Sequence, residues 1–141
     1  MKIPDYTQNF LNALKHAPDR SVLNTPIEDL RADSVKSVAM CGVGHQDVFH
    51  VEDFYVESSK HKNPLKSRFY LPTSDAKKLI IYIHGGGWCR GSIDTYDTHL
   101  RDMANRTGMG VLSVEYGLAP ENPFPTGLYD VVDVYLWVKN T

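Results

Sequence analysis

Cysteine is scarce in this sequence, in which only Cys41 and Cys89 occur among 141 residues. Neither has a neighbouring cysteine at the spacing of zinc ligands, so the sequence excludes a disulfide-stabilised scaffold and a cysteine zinc site. No apolar run approaches the roughly 20 residues that a membrane-spanning helix needs. Near the N-terminus, Pro4, Asp5 and Gln8 interrupt the apolar segment that a secretory signal would require. We therefore expect a soluble protein of a reducing compartment, the cytoplasm, with no membrane span.

The sequence also lacks an excess of either charge. Fifteen basic and seventeen acidic residues give a formal net charge of −2, whereas nucleic-acid-binding domains usually concentrate positive charge. We therefore expect neither nucleic acid nor an anionic membrane surface as a partner. The hydrophobic share of 42% and the charged share of 23% are typical of globular proteins, and the length suits one compact domain.

Two amphipathic helices are predicted in the first forty residues. Apolar residues recur at helical spacing from Ile3 to Ala17, where Pro18 follows and stops the pattern. A second helix is predicted to begin at Thr25–Glu28, in which the threonine can cap the helix, the proline suits its first position and the glutamate can complete a capping box. We expect residues 1–45 to form an N-terminal helical flap, although ordinary packing of two helices against the core would give the same pattern.

Residues 46–141 alternate between strand and helix patterns. The expected strands and helices, in chain order, are Val51–Glu57, Ser67–Leu71, Leu79–Ile83, a helix over Asp94–Thr107 that ends at Gly108, Val111–Val114 and a helix from Phe124 to Val138. Such alternation predicts an α/β fold with a mostly parallel sheet and flanking helices. The continuous apolar run over Leu79–Ile83 is typical of a strand buried on both faces.

The most informative segment is His84–Trp88, with the sequence His-Gly-Gly-Gly-Trp directly after that apolar strand. Because glycine has no Cβ, the backbone N–H groups of such a loop can approach a phosphate or a developing oxyanion closely. The phosphate motifs do not fit: a P-loop needs Lys and Ser or Thr after its glycines, and a dinucleotide fingerprint would need glycine where Arg90 stands. The oxyanion interpretation fits, because α/β-hydrolases carry an HGGG element between the third strand and the first helix.

Further segments of the sequence resemble α/β-hydrolases and occur in the same order along the chain as in those proteins. They are Arg68–Pro72, Ile83–Trp88, Gly91–Ser92, Ser113–Tyr116, Leu118–Glu121 and Pro123–Pro125, followed by Asp130. Between Phe54 and Val138 the sequence thereby resembles the N-terminal half of the hormone-sensitive-lipase-like branch of the α/β-hydrolase superfamily. Gly117 departs from the pattern, since this branch often carries Arg or Ser there. The resemblance implies a partial α/β-hydrolase fold in which residues 46–141 form the N-terminal half of the domain, truncated before the nucleophile elbow.

The resemblance also implies the roles of the loop residues. Gly86 and Gly87 would donate their N–H groups to the oxyanion, and Gly85 would allow a sharp turn. His84 would orient the loop through hydrogen bonding, and Trp88 would contact the substrate. The activity implied is that of a carboxylic-ester hydrolase, an esterase or lipase acting on a small acyl ester without a metal or another cofactor.

The nucleophile of that family is missing from the sequence. It is a serine in a Gly-x-Ser-x-Gly elbow, followed along the chain by an acid and a histidine. Ser92 has no glycine two residues later, Ser113 lies inside a predicted strand, and the last histidine is His99. Cys89 is a weak substitute, because a catalytic thiol needs an activating partner that the sequence does not indicate. We expect the chain of 141 residues to carry neither the nucleophile nor the catalytic histidine. We also expect it to be inactive without a C-terminal half.

Two alternatives stay open at this stage. The chain could be a non-catalytic binding or interaction protein of the same family, or a decayed, frameshifted product. In either case the strand over Leu79–Ile83 would become a sheet edge, because the next strand of the fold is missing. A long apolar edge favours pairing with another chain or aggregation, so we expect a homo-oligomer or a complementary C-terminal chain.

Overall fold

The computed structural model describes residues 3–16, 24–41, 44–60 and 63–141. Its elements, in chain order, are α1 (Asp5–Lys15), α2 (Ile27–Cys41), β1 (His50–Val56), β2 (Leu65–Leu71), β3 (Leu79–Tyr82), α3 (Ile93–Thr107), β4 (Gly110–Val114) and α4 (Thr126–Asn140). The predicted α/β class is confirmed, and each expected helix and strand occurs close to its expected position. Gly108 adopts a left-handed conformation with φ of 66° at the end of α3, as its position in the sequence predicted.

The four strands form one sheet in the order β1-β2-β4-β3. β2 pairs antiparallel with both β1 and β4, and only β3 and β4 run parallel. The expectation of a mostly parallel sheet was therefore wrong. The reason lies between β1 and β2, which only eight residues separate, 57–64: parallel neighbours need a long crossover, whereas a short connection returns the chain antiparallel.

β3 lies at the edge of this sheet and pairs only with β4 among the described strands. Leu79 at its start is 41% exposed and Ile83 just after it is 44% exposed. The expectation of a strand buried on both faces was wrong for this reason. The position of β3 at the edge agrees with the hypothesis that the strand expected on its other side is missing from the sequence.

The sheet is covered on both faces by helices. β4 is buried along its whole length, and its alternate side chains point to opposite faces of the sheet. Val111 packs with Leu100 and Ala104 of α3 on one face, whereas Leu112 packs in the cluster that contains Val134 of α4 on the other. The helices thereby fix β4, and with it the loop that follows β4, between two apolar layers.

A charged cluster joins the sheet to the first turn of α3. The guanidinium of Arg68 on β2 donates to Asp53 of β1 and, through Nη1, to Asp94 and Asp97 of α3 at 2.9 and 3.0 Å. Tyr70 Oη also donates to Asp97, at 2.9 Å. These bonds hold the start of α3 against the sheet next to the glycine loop.

The N-terminal helices are less buried than the sheet. Leu30 of α2 is buried, whereas Val35 on the same helix and Leu14 of α1 are exposed. Ala17 and Pro18, which the sequence placed at the end of the first helix, lie outside the described residues. None of the helices in the described part of the chain is long and apolar enough to cross a membrane.

Candidate oxyanion-binding site

Two loops meet where the parallel strands β3 and β4 end. His84–Trp88 follows β3, and Glu115–Glu121 follows β4. Because parallel strands point the same way, the loops after them emerge at the same edge of the sheet. The backbone N–H of Ala119 donates to the carbonyl oxygen of Trp88 at 2.8 Å, so the two loops are directly bonded to each other.

The glycine loop turns sharply over residues 86–90. Positive φ angles occur at Gly86 (136°), Gly87 (63°) and Trp88 (61°). A methyl group at the Cα of Gly86 would stand 1.9 Å from the carbonyl oxygen of Arg90, so only glycine fits there. The turn begins one residue after Gly85, where a side chain would meet only Tyr96 Oη, at 3.4 Å.

Hydrogen bonds inside the turn fix the direction of its peptide groups. The N–H groups of Cys89 and Arg90 both donate to the carbonyl oxygen of Gly86, at 3.3 and 3.2 Å. In a trans peptide the following N–H points away from the carbonyl, so the N–H of Gly87 is directed away from Arg90. Within the described part of the chain, the N–H groups of Gly86 and Gly87 donate to no other atom. Both are free to bind a ligand.

Two pockets flank the loop. One of about 310 Å³ is lined by Gly85 and Gly86, by Ser34 and Ser37 of α2 and by Tyr96 of α3. The other, of about 250 Å³, is largely apolar and is lined by residues of both loops and α4, namely Trp88, Gly117, Ala119, Asn122, Phe124, Gly127 and Leu128. The loop therefore lies between a polar pocket and an apolar one.

His84 supports the loop from inside the protein. Its side chain is 2% exposed and stacks against Tyr116, with ring centroids 4.3 Å apart. Burial lowers the pKa of His84, so the imidazole is neutral, and Nδ1 donates its proton to the carbonyl oxygen of Gly85 at 3.1 Å. Nε2 has no hydrogen-bond partner among the described residues. The imidazole packs against Gly91 beneath the loop and lines neither of these two pockets.

The backbone of His84 is held by Tyr116. Its hydroxyl donates to the carbonyl oxygen of His84 at 2.6 Å. Burial raises the pKa of Tyr116 to about 12, so the hydroxyl stays protonated and remains a donor. The indole ring of Trp88 packs at a tilt against the same tyrosine, with centroids 5.1 Å apart. Tyr116 thus supports both ends of the loop.

Cys89 does not have the partners of an activated nucleophile. Its thiol donates to the carbonyl oxygen of Gly86 at 3.4 Å, and no histidine bonds to it within the described residues. The thiol is therefore part of the turn.

Sequence reasoning missed two side chains that hold this site together. Arg31 of α2 binds Glu121 and carbonyl oxygens of both loops. Glu115, at the end of β4, accepts a hydrogen bond at 2.8 Å from the N–H of Ile93 at the start of α3. Glu115 and Glu121 lie in segments that the sequence singled out, but nothing in the pattern of α2 distinguishes Arg31 from the polar residues around it.

The part of the chain that forms the site also identifies its protein family. The model of a protein family described as having the alpha/beta hydrolase fold matches residues 80–141, which include the glycine loop, α3, β4 and α4. Residues 80–141 belong to the hormone-sensitive-lipase-like family of α/β-hydrolases. The resemblance seen in the sequence is thereby confirmed.

Known members of this fold match the chain over part of their length. An arylesterase of Saccharolobus solfataricus is 28% identical over 141 residues, which are 99% of this chain and 45% of the arylesterase. An arylacetamide deacetylase of Oryctolagus cuniculus is 42% identical over 80 residues, 53% of this chain and 20% of the deacetylase. The solved structure of a hyperthermophilic esterase from Pyrobaculum calidifontis superimposes with a TM-score of 0.85 at 29% identity, covering 100% of this chain and 45% of the esterase. The α/β-hydrolase chain therefore spans less than half the length of these relatives.

Proposed function

We propose that this chain is the front part of a carboxylic-ester hydrolase and supplies its oxyanion-binding loop. One observation carries the proposal: among the described residues the N–H groups of Gly86 and Gly87 donate to no other atom, and they belong to a turn between two pockets, one lined by Gly86 and the other by Trp88. Membership of an esterase and lipase family supports an acyl ester as the substrate. The relatives named above include an arylesterase and an esterase.

The two N–H groups would act on the carbonyl oxygen of the ester. When a nucleophile adds to the carbonyl carbon, this oxygen takes on negative charge, and donors that are already in place stabilise it without reorganisation. Losing one such donor typically lowers the rate by roughly a hundred- to a thousandfold. His84 would keep the loop in this geometry, because its imidazole is bonded to Gly85 and stacked on Tyr116.

The nucleophile would come from residues outside this sequence. No Gly-x-Ser-x-Gly motif occurs among the 141 residues, so we assign the serine, the acid and the proton-transferring histidine to a complementary C-terminal segment. The serine would form an acyl ester with the substrate, and water would then release the acid. The 141 residues alone would be inactive.

The pockets indicate where the substrate would lie. The apolar pocket beside Trp88 suits the hydrocarbon part of a small ester, and the tryptophan would form one wall of that binding site. Ser34 and Ser37 of α2 line the other pocket, which supports the expectation that residues 1–45 form a helical flap over that side of the loop. We propose that residues 46–141 form the N-terminal half of the hydrolase domain beneath this flap.

Complementation tests the proposed function. The chain would be assayed with a short-chain nitrophenyl ester, first alone and then co-expressed with the C-terminal part of the Saccharolobus solfataricus arylesterase that lies beyond the matched region. Turnover only in the co-expressed sample, abolished by a serine-directed phosphonate, is the expected result. Gly86→Ala should abolish it, because the methyl group collides with Arg90, whereas the distant Gly108→Ala should not.

The opposite outcome is also defined. If no combination turns over the ester, although a non-hydrolysable ester analogue raises the melting temperature of the chain, the hydrolase proposal is wrong and a non-catalytic binding protein is favoured. A control with the arylesterase C-terminal part alone excludes activity from that part. Restoration of activity by the arylesterase's own N-terminal part shows that the complementation assay works.

A further inference from the structure

Arg31 is the one side chain of α2 that hydrogen-bonds to both loops of the site among the described residues. Its Nε donates to the carbonyl oxygen of Cys89 at 2.9 Å, and Nη2 donates to that of Ala119 at 3.1 Å. Nη1 and Nη2 also form a two-pronged ion pair with Glu121, at 2.8 and 2.7 Å. One planar group thus makes four hydrogen bonds to three residues, which the three donors on the single nitrogen of a lysine cannot reproduce.

The bond to Cys89 continues into the turn through two peptide groups. The carbonyl of Cys89 belongs to the same peptide as the N–H of Arg90, and that N–H donates to the carbonyl oxygen of Gly86 at 3.2 Å. The carbonyl of Gly86 in turn belongs to the same peptide as the N–H of Gly87. Because peptide groups are planar, fixing the carbonyl of Cys89 restricts the direction in which the N–H of Gly87 points.

The bond to Ala119 acts on the other loop in the same way. The N–H of Ala119 donates to the carbonyl oxygen of Trp88 at 2.8 Å, while its own carbonyl accepts from Arg31. The carbonyls of Trp88 and Cys89 are therefore both occupied, one by Ala119 and the other by Arg31. The end of the glycine loop is held from two sides.

We propose that Arg31 is a positioning residue for the oxyanion-binding loop, and that helix α2 is therefore a structural part of the site. This inference rests on the proposed function for its catalytic meaning, but the contacts can be tested without turnover. An ordinary exposed ion pair contributes little to stability. The arginine is only 32% exposed, and its two carbonyl bonds are what distinguish it from such a pair.

Hydrogen–deuterium exchange of the full chain tests the positioning. The N–H groups of Cys89, Arg90 and Ala119 are the reporters, since each is bonded within or between the two loops. In Arg31→Met, their exchange should accelerate by about tenfold or more, because hydrogen bonds from a charged donor are lost. The N–H of Gly108, which donates to Ala104 at 2.9 Å, should keep its rate.

Two further variants separate positioning from simple charge pairing. Arg31→Lys keeps the charge next to Glu121 but has only three donors on one nitrogen in place of the four hydrogen bonds of the guanidinium, so the reporters should stay at least about threefold faster than in the unaltered chain. Arg106→Met removes a comparable pair on the surface of α3, where Arg106 binds Asp102 at 2.8 Å, and should leave the reporters unchanged. Unaltered reporter rates in Arg31→Met, full recovery in Arg31→Lys, or an equal acceleration at Gly108 would each overturn the inference.

The complemented enzyme gives a separate readout. Because the oxyanion exists only after attack on the ester, misplaced donors lower kcat more than they raise KM. Arg31→Met should therefore lower kcat by at least about tenfold with KM changed less than threefold. Faster exchange at the reporters without any turnover in the complemented sample would leave the positioning by Arg31 intact and refute only the proposed function.

Discussion

Gly91 lies directly against the imidazole of His84, with no room for a side chain between them. A methyl group at its Cα would stand 2.5 Å from His84 Nδ1 and 2.6 Å from the carbonyl oxygen of Gly85. These are the two atoms of the hydrogen bond that supports the loop. The fit of the histidine beneath the turn therefore depends on a glycine that lies outside the triple-glycine motif.

Gly91→Ala should destabilise the protein through this contact. The residue has a φ of 95°, so backbone strain adds to the collision, and we expect the free energy of unfolding to fall by about 2 kcal/mol or more. Urea denaturation measures it. Gly108→Ala should lower the free energy of unfolding by only about 1 kcal/mol, because alanine would have to adopt a left-handed backbone conformation there. Gly44→Ala, where nothing lies within 4 Å, should be close to neutral. Equal effects at Gly91 and Gly108 would contradict the contact.

The buried His84 should make stability depend on pH. Burial lowers its pKa in the folded chain below the ordinary value of 6.5, so the unfolded chain binds the proton more readily. The free energy of unfolding therefore has its highest value above about pH 7 and decreases as the pH drops through 6.5. Urea denaturation between pH 5 and 8 should show this slope, and His84→Phe should flatten it.

Carboxylates do not interfere with that measurement. Hydrogen bonds from Arg68 lower the pKa of Asp53 to about 2, and those from Arg31 lower the pKa of Glu121 to about 2. A carboxylate with a lowered pKa loses its contribution only as the pH falls below its ordinary value near 4. An unchanged slope between pH 5 and 7 in His84→Phe would show that another group is responsible.

Replacing Arg68 should loosen the start of α3. Its side chain is 15% exposed and binds three carboxylates. Arg68→Met would remove this shared cation and leave Asp53 with Lys66 and Asp97 with Arg101. We expect a loss of about 1–3 kcal/mol in the free energy of unfolding. Lys66→Met is the matched control, because Lys66 pairs with one carboxylate among the described residues, that of Asp53 at 2.9 Å, and its loss should cost less than about 1 kcal/mol. Similar losses in the two variants would argue against a joining role for Arg68.

The exposed edge of the sheet should make the isolated chain self-associate. β3 presents unpaired backbone groups together with the exposed Leu79 and Ile83, and such edges pair with other chains. Light scattering should detect dimers or larger species, and Leu79→Lys should reduce them. Tyr55→Lys, on the opposite edge strand β1, should not. A monodisperse monomer that melts cooperatively in calorimetry would contradict this prediction.

Most of the fold could be predicted from local patterns in the sequence. Apolar spacing located the helices and strands, and Gly108 marked the end of α3, because these features depend on neighbours in the chain. The direction of the strands was not predicted correctly. The alternation of strand and helix from β3 onwards indicated parallel strands, whereas β1 and β2 form an antiparallel hairpin. Chain direction in a sheet depends on how each connection returns, and the eight residues between Val56 and Leu65 are too few for the crossover that parallel strands need.

The site divides in the same way. The motif His84–Trp88 located the loop after β3, because the glycines and the preceding apolar strand are adjacent in the sequence. The positive φ of Trp88 and the collision that excludes a side chain at Gly91 depend on how the turn folds back on His84, and the bonds of Arg31 form only when distant segments meet. No local pattern reports such contacts.

The separation of Arg31 from its partners has a consequence for how the chain matures. It precedes Cys89 by 58 residues and Glu121 by 90. During synthesis, α2 leaves the ribosome long before either loop exists, and its arginine stays in water until both have emerged. Contacts that close such long stretches of chain are slow to form. We therefore expect the glycine loop to acquire its final shape late, after β3 and β4 have paired.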